Sequence, residues 1–202
     1  MLDKVLRPPK ERLLQPAAHL TRQINPTLLT LAAFGVGVLA VVAVLTHAPR
    51  LALGLWLGNR LLDGLDGSAA RFQRKQSDLG GYLDILLDTV IYAALPIALI
   101  AADPSPSGYL SLALLLAAYY LNSGSWLYLA ALLEKRSQGA GARGEHTSIT
   151  MPSGLIEGAE TVVFYGLVLI WPDQVVVLFS VFAGLVLVTV GQRLAWAART
   201  LH

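Results

Sequence analysis

The sequence predicts an all-α integral membrane protein: six transmembrane helices preceded by an N-terminal interfacial amphipathic segment. Three observations carry this. Of the 202 residues, 55% are hydrophobic and 14% charged, with a mean hydropathy of +0.59, a balance far more apolar than that of a soluble domain. Six apolar runs approach the roughly 20 residues that a helix needs to cross a hydrocarbon core about 30 Å thick. Between them lie Pro49, Pro104, Pro106, a Gly-rich stretch at 139–144, Pro152 and Pro172, residues that punctuate helices. No intervening polar stretch is long enough to fold separately, so residues 23–202 read as one membrane domain. The absence of cysteine excludes disulfides, thiolate metal sites and cysteine nucleophiles.

Residues 1–22, MLDKVLRPPKERLLQPAAHLTR, interleave Leu2, Val5, Leu6, Leu13, Leu14 and Leu20 with Lys4, Arg7, Lys10, Arg12 and Arg22. They have no apolar core or small-residue cleavage site and do not read as a secretory leader. They suit either a segment lying in the interface near anionic headgroups or a solvated basic tail. The apolar runs follow at approximately 27–46, 51–71, 79–101, 107–133, 153–171 and 174–197. The second is atypical, because its apolar start gives way to Asn59, Arg60 and then DGLDGSAAR. A helix facing lipid on all sides does not tolerate this, so neighbouring helices or a water-filled cavity are expected to line it. In the fourth run, Tyr119, Tyr120, Asn122, Ser123 and Trp126 read as packing and interface residues. Glu157 and Glu160, near the start of the fifth, share one helical face and suit either a helix N-terminus or the lining of a polar pocket, with Arg193 as a facing partner.

Basic residues are distributed unevenly around these runs. Thirteen of the 15 lysines and arginines fall before the first run, after the second, after the fourth or at the end of the sixth. Arg50 alone occupies an opposite loop, and Arg60 lies within a run. By the positive-inside rule both termini are cytoplasmic, in a multi-pass protein of the cell membrane. The net charge of +2 therefore reports topology, and no nucleic-acid partner is expected.

The second run ends and the third begins on that basic side, which places Asp63, Asp66, Asp84 and Asp88 near the cytoplasmic face. An Asp at a helix centre costs roughly 2.5 to 3.5 kcal/mol on insertion scales, so intramembrane carboxylates point to function. Asp63 and Asp66 are three residues apart, and Asp84 and Asp88 four, so on helices each pair lies on one face. Two facing helices would converge four carboxylates, the oxygen donors preferred by Mg²⁺ or Mn²⁺ and enough for two divalent ions. Gly67 and Ala70 give clearance for a bulky ligand, and Arg71 offers a planar fork for phosphate. Arg60, one turn before Asp63, is read as pairing with an aspartate, touching an anionic substrate, snorkelling or making a structural ion pair. Arg74 and Lys75 read as positive-inside anchors.

The pattern Asp63-x-x-Asp66-Gly67-x-x-Ala70-Arg71-x₈-Gly80-x₃-Asp84-x₃-Asp88 resembles the complete signature of the CDP-alcohol phosphotransferases, with no departure at its eight positions. The length, the helix count and the cytoplasmic termini are similar to that family's membrane domain. The resemblance implies transfer of a substituted phosphate from a CDP-linked lipid donor, usually CDP-diacylglycerol, to a small alcohol acceptor with release of CMP. It also implies two divalent ions among Asp63, Asp66, Asp84 and Asp88, with Asp88 as catalytic general base. Gly67, Ala70, Arg71 and Gly80 would line the CDP site. Ser77, three residues before Gly80, matches a Ser or Thr often found in the family, and Pro26 and Thr30 match its Pro-Asn-x-x-Thr segment, with Thr27 in place of the Asn. A homodimer among membrane lipids is implied as well.

The acceptor is less legible. Lys135, Arg136, Arg143, His146 and Arg193 would suit an anionic alcohol such as glycerol 3-phosphate or inositol phosphate, while Glu157 and Glu160 would suit serine or another amino alcohol. Membrane anchoring explains Lys135, Arg136, Arg143 and His146 equally. The G-x-G-x-x-G at Gly139, Gly141 and Gly144 follows a hydrophobic run where a dinucleotide fingerprint needs a strand, and reads as a flexible cytoplasmic loop. Two rival functions remain. An intramembrane prenyltransferase also binds diphosphate through metal and paired acidic motifs, but the compact DxxDGxxAR followed by one GxxxDxxxD argues against it. A cation transporter explains the carboxylates and leaves Gly67, Ala70, Arg71 and Gly80 without shared purpose.

Overall fold

A computed structural model describes residues 24–139, 142 and 154–201. The segment 1–22, Arg143, His146 and most of the Gly-rich stretch lie outside the described residues. Among those described, the secondary structure is helical throughout, in six α-helices and one 3₁₀ turn.

Local chemistry fixes where each helix begins. In α1 (Pro26–Leu45), Asn25 is the N-cap, its side chain accepting from the Thr27 amide at 3.0 Å, and Pro26 takes the first turn, where no amide is needed. The chain turns through His47 into α2 (Pro49–Gln73), again opened by a proline. Arg74 ends α2 in the left-handed region at φ 53°. Ser77 caps α3 (Asp78–Ala102) and Ser105 caps α4 (Pro106–Lys135), each hydroxyl accepting an amide three residues on at 3.1 Å. A capping box opens α5 (Gly158–Ile170): the Glu157 carboxylate serves the third amide of the helix, and Glu160 Oε2 accepts from the Glu157 amide at 3.1 Å. The turn Pro172–Gln174 leads into α6 (Val175–Thr200).

Four helices are long and apolar enough to cross a bilayer on their own: α1, α3, α4, and α6 with its preceding turn. The protein is therefore a multi-pass membrane protein. Helix α2 is long enough, but Asn59, Arg60, Asp63, Asp66 and Arg71 dilute its hydropathy. The fifth run, expected as a span over 153–171, is shorter in the structure, with 13 helical residues. The capping box accounts for the late start, since it fixes the helix N-terminus at Glu157. Upstream, the Leu155 amide donates to Gln192 Oε1 at 2.9 Å and the Ile156 amide to Thr189 Oγ1 at 2.9 Å, so residues 154–157 are pinned to α6 as a loop.

Helices α2 and α3 each pack against α1, α4 packs along α6, and α5 bridges from α2 to α6. Trp56, Leu95, Leu115, Leu133, Tyr165, Val168 and Phe179 are fully buried, and Phe164 stacks on Phe182 with ring centroids 3.8 Å apart. Two backbone irregularities tie this core to polar side chains. Pro96 sits inside α3 and has no amide to donate to the Tyr92 carbonyl one turn earlier; the Tyr165 hydroxyl donates to that carbonyl at 2.7 Å. On α1, a Cβ added to Gly37 would lie 2.9 Å from Ile91 and 3.0 Å from Asn59 Nδ2. The bare glycine leaves room for Asn59 to donate to the Ala33 carbonyl at 2.7 Å.

Candidate active site

Helical spacing places Trp56, Arg60 and Asp63 along one face of α2, and Asp84, Asp88 and Tyr92 along one face of α3. The two faces meet beside α1. A small cleft opens there, lined among others by Thr30, Asn59, Asp63, Asp84 and Asp88.

Arg60 is the centre of the polar network. Its Nη2 donates to Asp88 Oδ1 at 2.6 Å and its Nη1 to Asp88 Oδ2 at 2.9 Å, a two-pronged pair between helices. Nη1 also reaches the Tyr92 hydroxyl at 2.9 Å, and Nε donates to Asn59 Oδ1 at 2.7 Å. The guanidinium carbon lies 4.8 Å from the Trp56 ring centre and 5.1 Å from that of Tyr92. Asp63 stands farther off, at 3.8 Å from Nη1. A charge-assisted bond contributes about 1.5 to 3 kcal/mol and a forked pair adds orientation, so Asp88 is the principal partner and Asp63 a secondary one. Of the four readings the sequence left for Arg60, pairing with an aspartate and a structural ion pair coincide in this contact between α2 and α3.

The remaining acidic residues crowd the same cleft. Asp66 is 5% exposed, within hydrogen-bond reach of Thr30, and its Oδ2 is buried without a partner. The Asp84 and Asp63 carboxyl groups approach within hydrogen-bond reach of each other across α2 and α3. Two ionised carboxylates at about 4 Å repel by about 4 kcal/mol in a partly screened site, so the pair calls for a cation or a shared proton. Among the described residues, no three acidic or histidine side chains are already drawn together as a metal cluster. The donor set nevertheless fits a hard divalent cation: it is all oxygen, two of its carboxylates are forced together, and one buried carboxylate oxygen lacks a donor.

The other motif residues continue toward the helix ends. A Cβ on Gly67 would sit 3.4 Å from Arg71 Nη1, so the glycine leaves space beside that guanidinium, and Arg71 Nη2 lies 3.3 Å from Ser68 Oγ. Ala70 is half-buried on the same turn. Ser77 and Gly80 meet each other, Oγ accepting the Gly80 amide, and a Cβ on Gly80 would come within 3.1 Å of that oxygen. Thr30 Oγ1 donates to the Pro26 carbonyl at 3.2 Å.

The residues considered for the acceptor lie on other elements. Lys135 and Arg136 are exposed at the end of α4, where Arg136 Nη2 donates to the Leu201 carbonyl at 2.9 Å. Glu157 and Glu160 form the capping box of α5, and Glu157 Oε1 also accepts the Gly154 amide at 3.1 Å. Both glutamates sit at the helix N-terminus, and Glu157 lies within electrostatic reach of Arg193, the facing partner expected from the sequence. Arg193 is 6% exposed between α6 and α4, donating through Nη1 to Ser125 Oγ at 2.6 Å and Asn122 Oδ1 at 2.9 Å. Sequence reasoning missed Asn59 and Tyr92 as partners of Arg60. Their signal was positional, since Tyr92 lies one turn beyond Asp88, as Asp88 lies one turn beyond Asp84.

A family model for the CDP-alcohol phosphatidyltransferases matches residues 23–191, all six helices except the end of α6. The chain belongs to the CDP-alcohol phosphatidyltransferase family. It is thus a transferase, and phospholipid biosynthesis is the setting that its relatives support. The inner membrane protein YnjF of Escherichia coli K12 is 36% identical over 96% of this chain and 93% of its own length. A CDP-diacylglycerol–serine O-phosphatidyltransferase of Mycobacterium bovis is 36% identical over 37% of this chain and 26% of its own length. A bifunctional IPC transferase and DIPP synthase of Thermococcus kodakarensis is 35% identical over 36% of this chain and 16% of its own. The likeness to these last two phosphatidyltransferase-family relatives is therefore confined to a part of each protein.

Proposed function

We propose that this phosphatidyltransferase moves a phosphatidyl group from CDP-diacylglycerol to a small alcohol, releasing CMP, at the cytoplasmic face of the membrane. The observation that carries the reading is the meeting of Asp63, Asp84 and Asp88 with Arg60 in one cleft between α1, α2 and α3. Relatives named for transfer from CDP-diacylglycerol support the donor, and the clustering of thirteen of 15 basic residues supports the sidedness.

In this reading Asp63, Asp66, Asp84 and Asp88 would hold two Mg²⁺ or Mn²⁺ ions, which when bound would supply positive charge against the donor pyrophosphate and the departing CMP oxygen. Arg71 binds a phosphate through its fork, with Gly67 leaving the donor space beside it. Asp88 takes the proton of the acceptor hydroxyl. A bond forms between the acceptor oxygen and the phosphatidyl phosphorus, and the bond from that phosphorus to the bridging oxygen breaks. CMP leaves with the electron pair. Asp88 accepts the proton only after giving up one of its two bonds to Arg60. The acceptor is a small hydroxyl compound whose charge the fourth to sixth helices select, and a homodimer is the assembly expected.

The test is CMP release by purified protein with Mg²⁺ or Mn²⁺, CDP-diacylglycerol and a panel of serine, glycerol 3-phosphate, inositol phosphate and other amino alcohols. Turnover is expected with metal and one or a few acceptors, and lost on chelation. Turnover of a prenyl diphosphate with none of a CDP-linked lipid would overturn the proposal.

A further inference from the structure

We propose that Arg60 is a positioning residue that holds Asp88 in a fixed orientation and divides its oxygens with a divalent cation, an inference that rests on the transferase reading of this site. The geometry is built for a fixed cation. Both prongs of the guanidinium are engaged by Asp88, Nε is held by Asn59, and its carbon lies 4.8 Å and 5.1 Å from the ring centres of Trp56 and Tyr92. Asn59 is itself held, through Ala33, in the space that Gly37 leaves. The chain of support therefore runs from α1 to α2 to Asp88 on α3, each link a hydrogen bond.

Two consequences follow from charge and shape. The guanidinium is a permanent positive charge beside the carboxylates that fit a metal, so it repels a second cation and competes for Asp88. Its fork also fixes the plane of the Asp88 carboxylate, which a lysine ammonium does not. Loss of the charge and loss of the fork therefore have different signatures. A residue that merely stabilised the fold would give neither; its loss would lower metal binding and turnover together as protein unfolded.

The experiment compares wild type, Arg60→Gln and Arg60→Lys in lipid nanodiscs. Mn²⁺ binding is followed by electron paramagnetic resonance, and turnover by CMP release from CDP-diacylglycerol. Arg60→Gln is expected to bind Mn²⁺ about tenfold more tightly or better, since a unit charge close to the ion is gone, while CMP release falls by about a hundredfold. Arg60→Lys is expected to bind Mn²⁺ within about threefold of wild type and to lose turnover in kcat rather than in KM for the donor. Weaker or unchanged Mn²⁺ binding by folded Arg60→Gln, or wild-type kcat in Arg60→Lys, overturns the proposal. Should Arg60→Gln fail to fold, Gly37→Ala takes its place: it pushes on Asn59 from α1, and the same fall in kcat with Mn²⁺ still bound is expected, an unchanged kcat being fatal. If wild type releases no CMP from any donor but the Mn²⁺ order Gln tighter than Lys holds, the transferase reading fails and the division of Asp88 stands. If wild type binds no Mn²⁺, the division fails too.

Discussion

Asp88 carries more demands than any other side chain here. It is forked to Arg60, it lines the cleft with Asp63 and Asp84, and it is the base in the reaction proposed. Asp88→Asn keeps the shape and a donor-acceptor pair but loses charge and basicity. CMP release is expected to fall by about a hundredfold to ten-thousandfold, the range of general-base removal, with CDP binding largely retained in equilibrium titration. Wild-type turnover by this variant would remove Asp88 from the chemistry. Gly37 matters at the same scale for a steric reason: alanine there meets Ile91 and Asn59 at about van der Waals overlap. Overpacking of a filled interior costs about 1 to 3 kcal/mol, to be read as a lowered thermal midpoint in detergent. At this scale the motif aspartates were legible because helical spacing is local and repeats every few residues. The forked pair was not, since Arg60 and Asp88 are 28 residues apart and only the packing of α2 and α3 against α1 brings Asp88 to Arg60 ahead of Asp63, its neighbour in sequence.

Helix ends decide how the elements hold the site. Ser77 opens α3, the helix that bears Asp84 and Asp88, and Ser77→Ala is expected to cost about 1 kcal/mol by leaving the Gly80 amide without its acceptor. Exchange of the first-turn amides of α3 measured by hydrogen–deuterium exchange checks this, and unchanged protection would show that the cap is dispensable. Arg74 ends α2 with a left-handed backbone at φ 53°, where a side chain is strained and glycine is not. Arg74→Gly is therefore expected to raise stability by about 0.5 to 1 kcal/mol in thermal unfolding, set against loss of one surface charge. The extents of α1, α3, α4 and α6 were legible from apolar length and bounding prolines. The start of α5 was not: Leu155 and Ile156 extend the apolar run upstream of it, and what stops the helix is a reciprocal bond between two glutamates together with anchors on α6.

Across the whole molecule, the absence of cysteine makes topology directly measurable, because a single introduced thiol reports its own location. Cysteine placed at His47, in the turn between α1 and α2, is expected to react with an impermeant maleimide from outside intact cells. Cysteine at Gln76, between α2 and α3, or at Ser137, after α4, is expected to react only after permeabilisation. The reverse pattern would invert the topology and move the aspartates away from the cytoplasm. The six-helix plan was legible at this scale from hydropathy, while the sidedness expected from the lysines and arginines is what the labelling pattern tests. The packing order was not, since α4 against α6 and α5 against α2 depend on shape between distant segments that share no local pattern.

The proline within α3 binds two distant positions into a shared mutational fate. Because Pro96 leaves the Tyr92 carbonyl to the Tyr165 hydroxyl, neither residue can be exchanged without changing what the other is worth. Tyr165→Phe strands a buried acceptor at about 1 to 3 kcal/mol, whereas Pro96→Ala supplies an amide that contests the same oxygen. In the double variant the amide takes the carbonyl and the missing hydroxyl is no longer needed. Such pairs are inherited together or lost together, and a homologue lacking the proline is expected to have dispensed with the tyrosine as well.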